Sequence, residues 1–167
     1  DMPPRDPNAR EYEIAELPTD VLHYLLPSRY CESDLMGAMA RRTFGDLPRG
    51  FVRVQAICDW IHTHIAYEIG SSQATTTARE VLANQAGVCR DFAHLGITLC
   101  RALNIPARFV FGHVEFADPP PDFHALFEAY IGGQWMILTR NCCEFLCTNP
   151  EVRQFEDYYT NTLIPDE

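Results

Sequence analysis

At Pro106 the spacing of apolar residues changes from the helical period to the strand period, and that switch narrows the fold more than any other feature of the chain. Before it, residues 50–66 set Phe51, Val54, Ile57, Cys58, Ile61 and Ile65 at helical intervals, with Arg53, Gln55 and Asp59 between them. Thr77-Ala78-Arg79-Glu80 has capping-box spacing and predicts a short helix that starts near Thr77 and ends around Asn84. From Cys89 to about Leu103 the positions Phe92, Leu95, Leu99, Cys100 and Leu103 form a second long apolar stripe, stopped by Asn104-Ile105-Pro106. Beyond it, 108–116, 123–131 and 134–138 are β-branched or aromatic runs. Asp118-Pro119-Pro120-Pro121-Asp122 separates the first two runs, because proline cannot donate to a ladder, and Gly132-Gly133 separates the last two. Helices followed by antiparallel strands predict an α+β fold, with the helices packed on one side of the sheet.

A chain of 167 residues with 47% hydrophobic content supports one packed core and little more. Five prolines within 1–34 break any long element, so this stretch reads as a lead-in segment wrapped on the surface and without visible chemistry. It begins Asp1-Met2-Pro3-Pro4, which suggests a remnant of a longer protein. The core is expected over 35–141, and 142–167 forms a polar, Tyr-rich tail in which no element is legible.

A net charge of -10 argues against a nucleic-acid partner, because the attraction to a polyanion is missing. No apolar run has the ~18 residues of a membrane span, and no secretory signal is visible, so the expectation is a soluble, cytoplasmic protein without a membrane partner. Seven cysteines, an odd number spread over predicted helices, suit reduced thiols more than a disulfide framework, with Cys58 and Cys100 as small buried hydrophobes. Cys142-Cys143-Glu144-Phe145-Leu146-Cys147 lacks the paired spacing of a closed zinc site, so neither a metal nor another cofactor is expected.

Cys89 follows Ala86-Gly87-Val88 at the first turn of a predicted helix, where unpaired amides and the helix dipole favour an anion. A thiolate is the nucleophilic form of cysteine, and the same amides suit the oxyanion of a tetrahedral intermediate. By location alone Cys89 is either such a nucleophile or one more buried thiol. A base for it is expected from a different element, and His124, near the start of the run 123–131, fits best. There it shares a strand face with Leu126, Glu128 and Tyr130, while Phe123, Ala125, Phe127 and Ala129 form the apolar face. The alternative is a solvated histidine at a strand end. His23, His62, His64, His94 and His113 fit structural roles better.

The segment from Thr77 to Leu138 resembles the core of the transglutaminase-like superfamily, in particular its bacterial cysteine-protease-like members. The resemblance rests on Ala78-Arg79-Glu80-Val81-Leu82, Gly87-Val88-Cys89-Arg90-Asp91-Phe92-Ala93-His94, Leu103-Asn104-Ile105-Pro106-Ala107-Arg108, His124-Ala125-Leu126-Phe127-Glu128-Ala129-Tyr130 and Gly133-Gln134-Trp135. It implies a papain-like fold, Cys89 as nucleophile and His124 as base, with Arg90, Asp91 and His94 shaping the site. It also implies an Asp about four residues after the strand tryptophan, in a Phe-Asp-Pro-like stretch. This chain has Thr139 there, which accepts a hydrogen bond but supplies no charge to an imidazolium, and Asn141 is the other candidate for orienting the histidine.

One hypothesis for the break is a single-base deletion. Leu138-Thr139-Arg140 can be encoded TTG-ACC-CGN, and restoring one T upstream reads TTT-GAC-CCG, which is Phe-Asp-Pro. The chain after Ile137 is then out of frame, an idea that source DNA with incompatible codons sinks. The function expected from these residues is thiol-dependent acyl transfer or hydrolysis on an amide, with a protein or peptide as substrate. A catalytically impaired binding or structural module is the alternative.

Overall fold

The computed structural model describes residues 6–114 and 122–137. Four helices, α1 (Ser33–Phe44), α2 (Phe51–His64), α3 (Ala78–Asn84) and α4 (Cys89–Ala102), are followed by the strands β3 (Ala107–Val114), β4 (Asp122–Ile131) and β5 (Gln134–Ile137). Two short strands, β1 (Ala66–Tyr67) and β2 (Ala86–Gly87), interrupt the helical half. The period switch at Pro106 thus marks the boundary between helices and sheet, and the architecture is α+β, with helices packed against an antiparallel sheet. Among the described residues no helix is long and apolar enough to cross a membrane.

Local chemistry accounts for most of these elements. The Glu80 carboxylate accepts the Thr77 N–H at 2.8 Å, and the Thr77 hydroxyl accepts the Glu80 N–H at 3.5 Å, so the capping box opens α3 where its spacing predicts. Gln85 at φ 52 ends the helix and turns the chain into β2. Gly132 and Gly133 have φ of 64 and 82, the positive pair that a two-residue hairpin between β4 and β5 requires.

In α2, Val54, Ile57, Cys58 and Ile61 are buried, as the periodicity anticipates. Cys100 is also buried, and Cys31, Cys58, Cys89 and Cys100 all carry thiols. The sequence pattern did not mark α1. Its buried residues Met36, Ala40 and Phe44 recur every four positions, with Met39 packed beside them, but the neighbouring apolar Leu35 is exposed.

α4 is the central element. Leu95, Leu99 and Cys100 have no solvent exposure, and the sheet packs on one side of the helix while α1, α2 and α3 surround the rest. The three-stranded sheet is ordered β3-β4-β5 and antiparallel throughout, with Phe109 opposite Phe127 and Ala129 opposite Met136. The sheet approaches the helix closely at Gly96, where an added Cβ would lie 2.4 Å from the Phe127 ring. Phe127 is 1% exposed and cannot retreat into solvent. Gly96→Ala is therefore expected to destabilise by about 1–3 kcal/mol, the usual cost of overpacking, measured as a lower urea midpoint with unchanged slope.

The lead-in segment differs from its expectation. It carries two 3₁₀ turns, Ile14–Glu16 and Leu22–Leu25, and buries Ala9, Glu11, Leu17, Val21 and Cys31. Its backbone joins the layers: the Ala9 carbonyl accepts the Phe51 N–H at 2.9 Å and the Arg10 carbonyl accepts the Gly132 N–H at 2.9 Å. It also carries a buried ionic group. Glu11 accepts from Arg53 Nη1 at 3.1 Å, Arg49 Nε at 2.9 Å and the Gly50 N–H at 3.1 Å. Farther along, Tyr24 meets Trp135 edge-on at 4.9 Å between ring centroids, and the Arg108 guanidinium lies over the same indole at 4.2 Å. Arg108 and Trp135 belong to the sheet face opposite α4, so the lead-in segment contributes to that side.

Candidate active site

The turn that opens α4 is held by a buried carboxylate. Asp91, with no solvent exposure, accepts the Val88 N–H on Oδ2 at 2.9 Å, and the Ser72 hydroxyl donates to the same oxygen. Its Oδ1 takes Arg90 Nε at 3.2 Å and Nη2 at 2.9 Å, and Arg90 Nη2 also donates to the Gln73 carbonyl at 2.7 Å. Gly87 permits the arrangement, since a Cβ there would sit 2.8 Å from Asp91 Cβ. The parallel pairing of Tyr67 with Gly87 fixes the approach to the turn from the other side.

Cys89 is the first residue of α4, and its side chain is half-buried. The Val88 carbonyl takes the N–H groups of Asp91 and Phe92 at 2.8 and 3.0 Å. Among the described residues no acceptor takes the Cys89 N–H, which leaves a backbone donor beside its own thiol. This combination suits a nucleophilic sulfur and a developing oxyanion together.

The position of His124 relative to Cys89 follows from topology. The chain reverses after α4, so β3 runs back along the helix, and β4, antiparallel to β3, runs in the same direction as α4. Cys89 and His124 therefore lie toward the same end of the layers. The contact between Gly96 and Phe127 ties the two elements together in register. Cys89 precedes Gly96 by seven residues, about 10.5 Å along a helix. His124 precedes Phe127 by three, about 10 Å along a strand. The backbone at 124, paired with Gly112, thus lies on the same side of the Gly96–Phe127 contact as the start of α4. Thr139 and Asn141 lie outside the described residues, as does the cysteine group at 142–147.

His94 has more definite surroundings than its sequence context suggested. Its ring stacks on Tyr30 with centroids 5.2 Å apart, meets Phe109 at 5.1 Å, and buries an Nδ1 with no hydrogen-bond partner among the described residues. Burial first, then the charge of Arg90, lowers its pKa from the ordinary 6.5 to about 4, with Asp91 opposing and Arg101 adding to the shift. The imidazole is neutral at pH 7. Between pH 6.5 and 4 the unfolded chain binds a proton that the native state refuses, so this contribution to stability is complete above 6.5 and is lost as pH falls through 4. In urea titrations across that window, His94→Phe is expected to flatten the fall in midpoint that the parent chain shows.

Arg90, Asp91 and His94 were legible in the sequence, but not the clamp that Arg90 and Asp91 form with Ser72 and Val88. The available signal was an acidic residue three positions after Val88, the spacing at which a side chain reaches back to a helix-capping amide. Its partner Ser72 is distant in sequence and carries no such signal. Two other histidines make ring contacts: His64 stacks on Trp60 at 4.2 Å and bonds its carbonyl, and His23 lies 3.8 Å from Tyr24.

This chain is similar to several bacterial proteins. The crystal structure of a candidate cysteine protease from Cytophaga hutchinsonii is 47% identical with a TM-score of 0.73, over 77% of this chain and 44% of that one. The periplasmic domain of TgpA from Pseudomonas aeruginosa shares the fold at 16% identity and a TM-score of 0.63, covering 86% of this chain and 54% of that one. An uncharacterised protein of Mycobacterium leprae (strain TN) is 30% identical over 92 residues, which is 49% of this chain and 32% of that protein. The chain thus spans about a third of the mycobacterial relative's length and under half of the Cytophaga protein's. The profile of the transglutaminase-like superfamily matches residues 37–139, over half of the sequence and including both Cys89 and His124, and the chain belongs to that superfamily.

Proposed function

We propose that this domain catalyses thiol-dependent acyl transfer or hydrolysis on a peptide or protein amide, with Cys89 as nucleophile and His124 as base. The observation that supports the reading is the amide of Cys89 at the start of α4, which has no acceptor among the described residues. The Cys89 sulfur attacks the amide carbonyl carbon, forming a C–S bond and an oxyanion that the helix-start amide stabilises. Collapse of the intermediate breaks the C–N bond, and the amine leaves with the proton held by His124. Water or a second amine then attacks the thioester and gives its proton to His124. The acyl group departs with it, and the thiol is restored.

The test is alkylation of Cys89 by iodoacetamide at neutral pH, followed by mass spectrometry of the labelled peptide. Cys89 is expected to react faster than free cysteine, and His124→Ala is expected to remove that advantage. Labelling at the rate of free cysteine rejects the reading. It would favour the second one, a catalytically impaired binding or structural module, for which the specific observation is Thr139 where the family's pattern carries an Asp.

A further inference from the structure

We propose that Asp91 is a positioning residue for the Cys89 site, holding the helix-start amide in the orientation that a tetrahedral oxyanion needs. The inference rests on Cys89 being the nucleophile, and what it adds is the group that keeps the oxyanion donor in place. Asp91 has no solvent exposure and takes four donors on two oxygens: Val88 N–H and Ser72 O–H on Oδ2, and Arg90 Nε and Nη2 on Oδ1. Three of those donors belong to Val88 and Arg90, the residues that flank Cys89, so the carboxylate holds the backbone just before the nucleophile and the side chain just after it. Its hold on Val88 N–H satisfies the amide just before Cys89 and leaves the Cys89 amide unengaged among the described residues.

The same group anchors the neighbouring loop. Ser72 reaches Asp91 directly, and the Gln73 carbonyl is held by Arg90, so residues 72–73 are tied beside the turn. A carboxylate accepts on both oxygens, whereas an amide has one accepting oxygen and one donating nitrogen. Asp91→Asn is close to isosteric but must lose either the Val88 contact, with the Ser72 hydroxyl turned from donor to acceptor, or the Arg90 fork. The first turn of α4 then has more than one orientation available.

Two reactions of the same thiol separate positioning from general damage. With p-nitrophenyl acetate the Cys89 sulfur attacks the carbonyl carbon, a C–S bond forms, the ester C–O bond breaks and p-nitrophenolate leaves, so the step passes through an oxyanion. Iodoacetamide alkylates the same sulfur by direct displacement, in which a C–S bond forms as the C–I bond breaks and iodide leaves, and no oxyanion forms. Deleting one oxyanion donor outright costs about 10²–10³ in rate, so misorienting it in Asp91→Asn is expected to slow acylation by about tenfold or more. Alkylation of Cys89 should change less than about twofold, with near-UV circular dichroism preserved.

Acylation unchanged in Asp91→Asn, or acylation and alkylation falling together, overturns the positioning role. A parent chain whose Cys89 is not acylated at all rejects the nucleophile assignment instead, so the two failures are distinct. Where Asp91→Asn does not fold, Arg90→Met removes a half-exposed partner from the same carboxylate and carries the identical comparison, with a smaller loss of acylation expected and the same two overturning results.

Discussion

Cys89→Ala is expected to lower acyl-transfer turnover by about 10⁴–10⁶, and His124→Ala in the same background is expected to add almost nothing. Groups that act as one unit are non-additive, since removing either ends the covalent route and leaves only what the oxyanion donor and substrate binding supply. The measurement is the p-nitrophenolate burst and steady-state rate for the parent, both single variants and the double variant. Independent losses that multiply in the double variant would argue that the two residues act separately. The parent rate also bears on Thr139, because a triad that loses its charged member loses up to about 10⁴ in turnover, whereas a preformed thiolate and imidazolium depend on it less.

The second large effect concerns stability and lies far from the nucleophile in sequence. The Glu11 side chain is 3% exposed and accepts from Arg53 Nη1, Arg49 Nε and the Gly50 amide. Arg53 is itself buried and donates Nη2 to the Gly45 and Leu47 carbonyls at 3.1 and 2.8 Å, while its Nε has no partner among the described residues. Removing the carboxylate leaves that guanidinium charge buried and uncompensated. Breaking a buried ion pair from one side costs about 3–5 kcal/mol, so Glu11→Ala is expected to lose that much in urea unfolding at pH 7. Glu13 also meets Arg49 but is 68% exposed, and Glu13→Ala should cost less than about 1 kcal/mol. Equal effects of the two variants would mean that burial does not set the strength of the cluster.

The position of Gly50 explains why the cluster forms there. Gly50 has φ 107, and a Cβ on it would lie 2.1 Å from the Ala9 carbonyl oxygen. The chain at 50 and the chain at 9 are thus in direct backbone contact, and Glu11 reaches the N-terminus of α2 as a consequence. A stretch read from its prolines as a surface wrapping is bonded to both the helices and the hairpin.

What the sequence determined by itself is what short-range spacing encodes. The period of the apolar residues set α2, α4 and the three long strands, Thr77 and Glu80 set the start of α3, and paired glycines set the turn between β4 and β5, because each depends on atoms within a few residues. Cys89 was legible for the same reason, as a cysteine at a helix start. The tertiary structure alone decided the pairing of Ala66 with Ala86, the grip of Asp91 on Ser72, the burial of Glu11 against Arg53 and the approach of Gly96 to Phe127. It also set the direction of β4 relative to α4, which brings the backbone of His124 to the Cys89 end. These partners lie 19 to 42 residues apart in the two side-chain contacts, and no local period carries that information. Their meeting is fixed by how the layers close around α4, where the volume of one ring or the charge of one buried carboxylate selects the packing.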